Sequence, residues 1–203
     1  LCRQIEADPQ CVMPFPVDYP SGTIKVWENN GDRLYAVANT IRVLDFLDDI
    51  DSVVGVIDAD DQLCERRALQ WVNRIYNSAG LGAVWTSNIW EPYGINLCSN
   101  NLDDSQDVYR HPWVSSHFRT FKLTHYKKVN PDNFKDENGE WMKRCEDQTF
   151  MLPIIHIAHK SNEKTHFLEN PCYLYRGYQE IGGEAHQYQM ELEKFIRNRG
   201  FVE

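Results

Sequence analysis

Apolar and polar positions along the chain switch between a two-residue and a 3.6-residue period, so segments reading as strands alternate with segments reading as helices. The first ten residues read as the tail of a helix, and Pro14, Pro16 and Pro20 then mark an irregular stretch. Residues 23–27 (TIKVW) form the first predicted strand. Leu34, Val37, Ala38, Ile41, Leu44 and Leu47 then recur at helical spacing, with Asp32 placed to cap the helix. Residues 53–57 (VVGVI) are an unbroken apolar run, which predicts a central strand covered on both faces. A second helix carries Ala68, Trp71, Val72, Ile75 and Tyr76 on one face, stops at Gly80 and Gly82, and leads into a strand at 83–86. Residues 91–112 are polar and predict a long functional loop. Phe150, Met151, Ile154, Ile155 and Ala158 define a third helix, with Pro153 fitting only in its first turn. Short strands are predicted at 166–168 and 173–175, then a glycine-punctuated loop over 177–183. A last amphipathic helix is marked by Tyr188, Leu192, Phe195 and Ile196. The expectation is an α/β domain with a mostly parallel or mixed central sheet flanked by helices. With no internal repeat or linker, it is one domain over residues 1–203.

Composition narrows the partners. The 203 residues are 42% hydrophobic and 25% charged, which suits a globular domain large enough to bury its own core without disulfides. The 21 Lys+Arg against 30 Asp+Glu give a formal charge of -9, with no local basic patch, which argues against a nucleic-acid partner. No run approaches the roughly 20 apolar residues of a membrane span, and the first residues lack the apolar core of a signal peptide. The six cysteines show no C-x-x-C pair, and the expectation is separate reduced thiols in a cytoplasmic protein.

Two clusters carry candidate chemistry. Asp58-Ala59-Asp60-Asp61 follows the apolar run directly, so three carboxylates collect at the carboxyl end of a strand, where open α/β sheets place their ligands. Hard cations with oxygen ligands, Mg²⁺ or Mn²⁺, suit such a cluster. The competing reading is a solvated turn with Asp as a helix cap. Glu146-Asp147 opens the third helix, either as charges complementing the helix dipole or as a general base.

The two clusters, with Asn30-Gly31 and Ala38-Asn39 before them, Phe118-Arg119 between them and Tyr173-Leu174-Tyr175-Arg176 after them, resemble the nucleotide-sugar glycosyltransferases of the GT-A fold, in particular their inverting family-2-like group. The resemblance covers residues 24–176. It implies a nucleotide-binding part over about residues 1–90 and an acceptor-binding part over 91–203. It also implies a UDP-sugar donor, a glycan, lipid-linked or protein hydroxyl acceptor, and Mn²⁺ or Mg²⁺ as cofactor. Asp147 becomes the catalytic base. Asn30, Arg33, Asn39, Asp58, Ala59, Asp60 and Arg176 become donor-binding residues. Asp58, Asp60 and His186 become the metal ligands, and 177–183 a lid. His111, Trp113 and His117 fall on the acceptor side. Residues 1–22 show no version of the family's opening strand, so its nucleobase-gripping residues go unassigned.

Two other functions share these residues. A metal-dependent nucleotidyltransferase or phosphohydrolase uses an acidic cluster in the same way. A catalytically inactive carbohydrate-binding module on the same scaffold binds glycans without metal or nucleotide.

Overall fold

The computed structural model describes residues 33–78, 80–91, 93–96, 98–177 and 182–203, together with the backbone of 12–14 and 23–25. The opening helix tail, Asp32 and Asn30 lie outside the described residues. The chain divides into two compact units, Leu1–Tyr35 and Ala36–Glu203. In the first, β1 (Val12–Pro14) pairs antiparallel with β2 (Thr23–Lys25), Met13 facing Ile24, and β2 falls on the strand predicted at 23–27.

The second unit is built on a five-stranded sheet ordered β3-β6-β5-β7-β4, with β3 (Val53–Val56), β4 (Gln62–Leu63), β5 (Leu81–Trp90), β6 (Arg119–Lys122) and β7 (Lys164–Tyr175). Only β5 and β7 run parallel, and the other three pairings are antiparallel. The sheet is therefore mixed rather than mostly parallel. The central strand is β5, with seven consecutive buried residues. β3, expected at the centre, lies at the edge of this sheet and alternates exposed with half-buried positions, leaving Val53 41% and Ile57 45% exposed. An apolar run reads the same whether one or both faces are covered, because β-branched residues favour the pleat in either case.

Helix α1 (Tyr35–Phe46) buries Val37, Ala38, Ile41 and Leu44, the predicted face. Helix α2 (Ala68–Tyr76) buries Ala68 and Val72, and Val72 joins Phe118 and Tyr173 in a small apolar cluster. A short α3 (Leu123–Tyr126) and a 3₁₀ turn (Pro131–Phe134) lead to α4 (Glu146–Lys160), and α5 (Glu184–Arg199) closes the chain. Helix α4 is the spine of the main core. Ten of its residues are buried, among them Met151, Leu152, Ile154 and Ile155 at 0–1% exposure. At roughly 1.5–3 kcal/mol for each large apolar side chain, this burial far outweighs a single lost helical bond. That explains why α4, which starts at Glu146 where the acidic pair was placed, carries Pro153 in its interior rather than in its first turn.

The two short strands predicted at 166–168 and 173–175 are parts of one strand. β7 runs on through Pro171, its register against β5 shifting around Thr86, Ser87 and Asn88 so that the proline sits at an irregularity. Among the described residues no helix is long and apolar enough to cross a membrane.

Candidate metal centre and base

Because β3 and β4 lie at opposite edges, the five residues 57–61 carry the chain across the sheet, and the acidic cluster sits in that crossing. The crossing is a tight turn: the Asp61 N–H donates to the Asp58 carbonyl at 3.1 Å. Strand β7 fastens it at both ends. The Asp58 N–H donates to the Tyr173 hydroxyl at 3.1 Å, and the Arg176 N–H donates to the Asp61 carboxylate at 2.7 Å. Asp58 and Asp61 are half-buried and held, while Ala59 and Asp60 point to solvent.

His117, just before β6, faces this turn. Its ring is stacked against Tyr173 (centroids 5.0 Å, 10° between planes) and Tyr175 (4.8 Å, 12°), and it is 8% exposed. Burial, reinforced by the Arg119 charge, pushes its pKa down to about 3, so the ring is neutral at physiological pH. Nδ1 has no hydrogen-bond partner and stands 3.9 Å from Asp58 Oδ2. That distance is too long for a hydrogen bond and short enough for one cation, with ligand distances of about 2.0–2.2 Å, to bridge. Among the described residues, Asp58, Asp61 and His117 form the group whose ligand atoms all lie within 4.8 Å of one another. Two carboxylates and a neutral imidazole with an orphaned buried nitrogen fit a divalent cation, and the imidazole tilts the set toward Mn²⁺ over Mg²⁺.

Arg119 opens β6 two residues after His117, at 2% exposure, with Nη1 and Nη2 making no hydrogen bond and Nη2 3.8 Å from Asp58 Oδ2. Its charge reaches two carboxylates. Asp58 is pushed up by burial, an effect the Arg119 guanidinium opposes and the nearby charges of Glu146, Asp61 and Asp60 add to. Asp147, in the first turn of α4, is likewise pushed up by burial and held back by Arg119, with Glu193 and Asp58 adding to the rise. Asp58 and Asp147 therefore feel one another across a shared buried cation. Asp147 Oδ1 accepts the Gln148 N–H at 2.9 Å, which fixes its orientation.

The other predicted site residues are dispersed. Asp60 and His186 lie outside the trio, His186 half-buried in the first turn of α5. The exposed Arg176 guanidinium donates to Glu91 at 3.2 Å. Asn39 is exposed on α1, and Arg33 lies in the first unit with its guanidinium 4.7 Å from the Tyr35 ring centroid. Asn30 is outside the described residues, as are four residues of the proposed lid, 178–181. Sequence reasoning missed Asp61 and His117 as partners of Asp58, and it missed Arg119 as the link to Asp147.

Compared with known proteins, the chain matches no family model and no curated sequence.

Proposed function

We propose that this chain is a metal-dependent glycosyltransferase that moves a sugar from a nucleotide-diphosphate donor, a UDP-sugar, to a hydroxyl acceptor with inversion, on a GT-A-like fold. One observation carries the reading. A cation-ready group of two carboxylates and an imidazole shares a buried arginine with a second, desolvated carboxylate on another element. Sugar transfer needs both halves: a place where diphosphate charge is met, and a base for the attacking hydroxyl.

Asp58, Asp61 and His117 would hold the Mn²⁺ or Mg²⁺, and that ion would supply positive charge to offset the negative charge of a leaving diphosphate. Asp147 accepts the proton of the acceptor hydroxyl as the bond to the anomeric carbon forms. Burial raises its affinity for a proton above that of a solvated aspartate, and the Arg119 charge opposes that rise. A single base suits direct displacement, hence inversion.

Isothermal titration of UDP with and without Mn²⁺ tests the donor half. Binding is expected only with the metal and is expected to vanish in Asp58→Asn. In a transfer assay, Asp147→Asn is expected to lose about 10²–10⁴-fold in rate while still binding UDP. Full activity in that variant would remove the base, and products cleaved at phosphorus rather than at the anomeric carbon would favour a nucleotidyltransferase or phosphohydrolase.

A further inference from the structure

A second concavity opens beside Asp147. It is a groove open to solvent, with a volume of about 480 Å³, and is lined by His111, Trp113, Gln148, Glu193 and Arg197, among others. That volume falls within the roughly 300–1,000 Å³ of small-molecule sites. Two observations tie the cavity to the base. Gln148 follows Asp147 directly on α4, and the charges of Glu193 and Arg197 both interact with Asp147.

We propose that this cavity is the acceptor subsite and that it takes a saccharide, a pyranoside ring with free hydroxyls, rather than a lipid chain or a peptide. The proposal rests on the transferase reading and narrows its acceptor. Trp113 is half-buried, packed against the main core while also lining the cavity, so its indole is held rigidly as a wall against which the C–H face of a sugar ring can lie. Arg197 is fixed in the same way. Its Nε donates to Gln148 Oε1 at 2.9 Å, and its Nη1 donates to the carbonyls of His111 (2.7 Å) and Tyr109 (3.2 Å), while Nη2 makes no hydrogen bond.

Glu193 stands one helical turn before Arg197 on α5, so its half-buried carboxylate is an acceptor at the cavity wall. The hydroxyls of a sugar ring, each able to donate, match it. An acyl chain would desolvate Glu193 without pairing it.

Saturation-transfer NMR with methyl glucopyranoside, galactopyranoside and mannopyranoside as probes tests this on the wild type, Trp113→Ala and Glu193→Gln. UDP–Mn²⁺ affinity is measured on the same samples. At least one pyranoside is expected to bind the wild type, and its affinity is expected to fall about tenfold or more in both variants, with UDP–Mn²⁺ affinity unchanged within about twofold. If Trp113→Ala fails to fold, the near-isosteric Glu193→Gln decides alone. Absence of pyranoside binding to the wild type, or equal binding to wild type and variants, overturns the subsite. Variant-sensitive pyranoside binding in a protein that never binds UDP would keep the subsite and sink the transferase reading, so the two failures are distinguishable.

Discussion

Between the rings of Tyr173 and Tyr175, the imidazole of His117 has lost its solvent and gained no hydrogen bond at Nδ1. A buried polar atom left so costs free energy unless something pairs with it, and a cation shared with Asp58 and Asp61 would do so. The expected ligand set is thus distinct from the one the family resemblance implies, and the two can be separated. Titrating Mn²⁺ while following the free-ion paramagnetic resonance signal, His117→Gln and Asp61→Asn are each expected to lose about tenfold or more in affinity, the scale at which even supporting residues of metal sites matter. Asp60→Asn and His186→Ala are expected to lose less than about twofold. The opposite ranking would return the metal to Asp60 and His186. At this scale the sequence was partly legible. The acidic turn and Asp147 stood out because carboxylates cluster after an apolar strand and at a helix start. His117 did not, because a histidine 56 residues beyond Asp61 declares its partners only once β6 is laid beside β3.

Among the elements, β5 and α4 set the frame on which the site depends, and they meet very closely. A Cβ added at Gly82 would collide with the Cβ of Ala158 and come within 3.0 Å of His125 Nε2. Gly82→Ala is expected to destabilise the fold by about 1–3 kcal/mol through overpacking, read as a lower urea midpoint with the slope unchanged. A midpoint equal to wild type would mean that β5 and α4 are less tightly apposed than described. Periodicity identified both elements, but not their roles. It placed the buried central strand at 53–57, whereas β5 has that place, because Thr86, Ser87 and Asn88 interrupt its apolar pattern while being buried through specific bonds such as Asn88 Nδ2 to the Ser99 hydroxyl at 3.0 Å. It split β7 in two because the register shift that admits Pro171 reads as a break in a single sequence. Loop 91–112 was correctly seen as irregular, and its isolated bridges Trp90 to Ile95 and Ser99 to Ser115 depend on partners no local pattern reveals.

For the molecule as a whole, acid is the condition that separates its charge networks. Glu163 bonds Lys122 Nζ at 2.8 Å and His125 Nε2 at 2.8 Å, joining the start of β7 to β6 and α3. Burial pushes its carboxyl up, but these bonds outweigh it and hold the pKa below the ordinary 4.5. A carboxyl depressed in the folded state stabilises the fold above its unfolded pKa and loses that contribution as pH falls through the folded value. Glu163→Gln is therefore expected to be less stable than wild type at pH 7, and the gap in urea midpoint is expected to narrow as pH falls below the ordinary 4.5. A gap that did not narrow on acidification would mean that packing, not ionisation, carries the effect. With -9 formal charge, the diphosphate of the proposed donor would have to be met by local positive charge rather than by the general field.

The fastening of the acidic turn by β7 makes Arg176 a sensor. Its amide donates to the Asp61 carboxylate, and its guanidinium reaches Glu91. Any change in the electron density of Asp61, whether from a bound ion or a lost charge, is registered at that amide proton. The nuclear resonance of one backbone group, on the residue where β7 gives way to the glycine-rich stretch, is thereby a gauge of occupancy that needs neither substrate nor turnover.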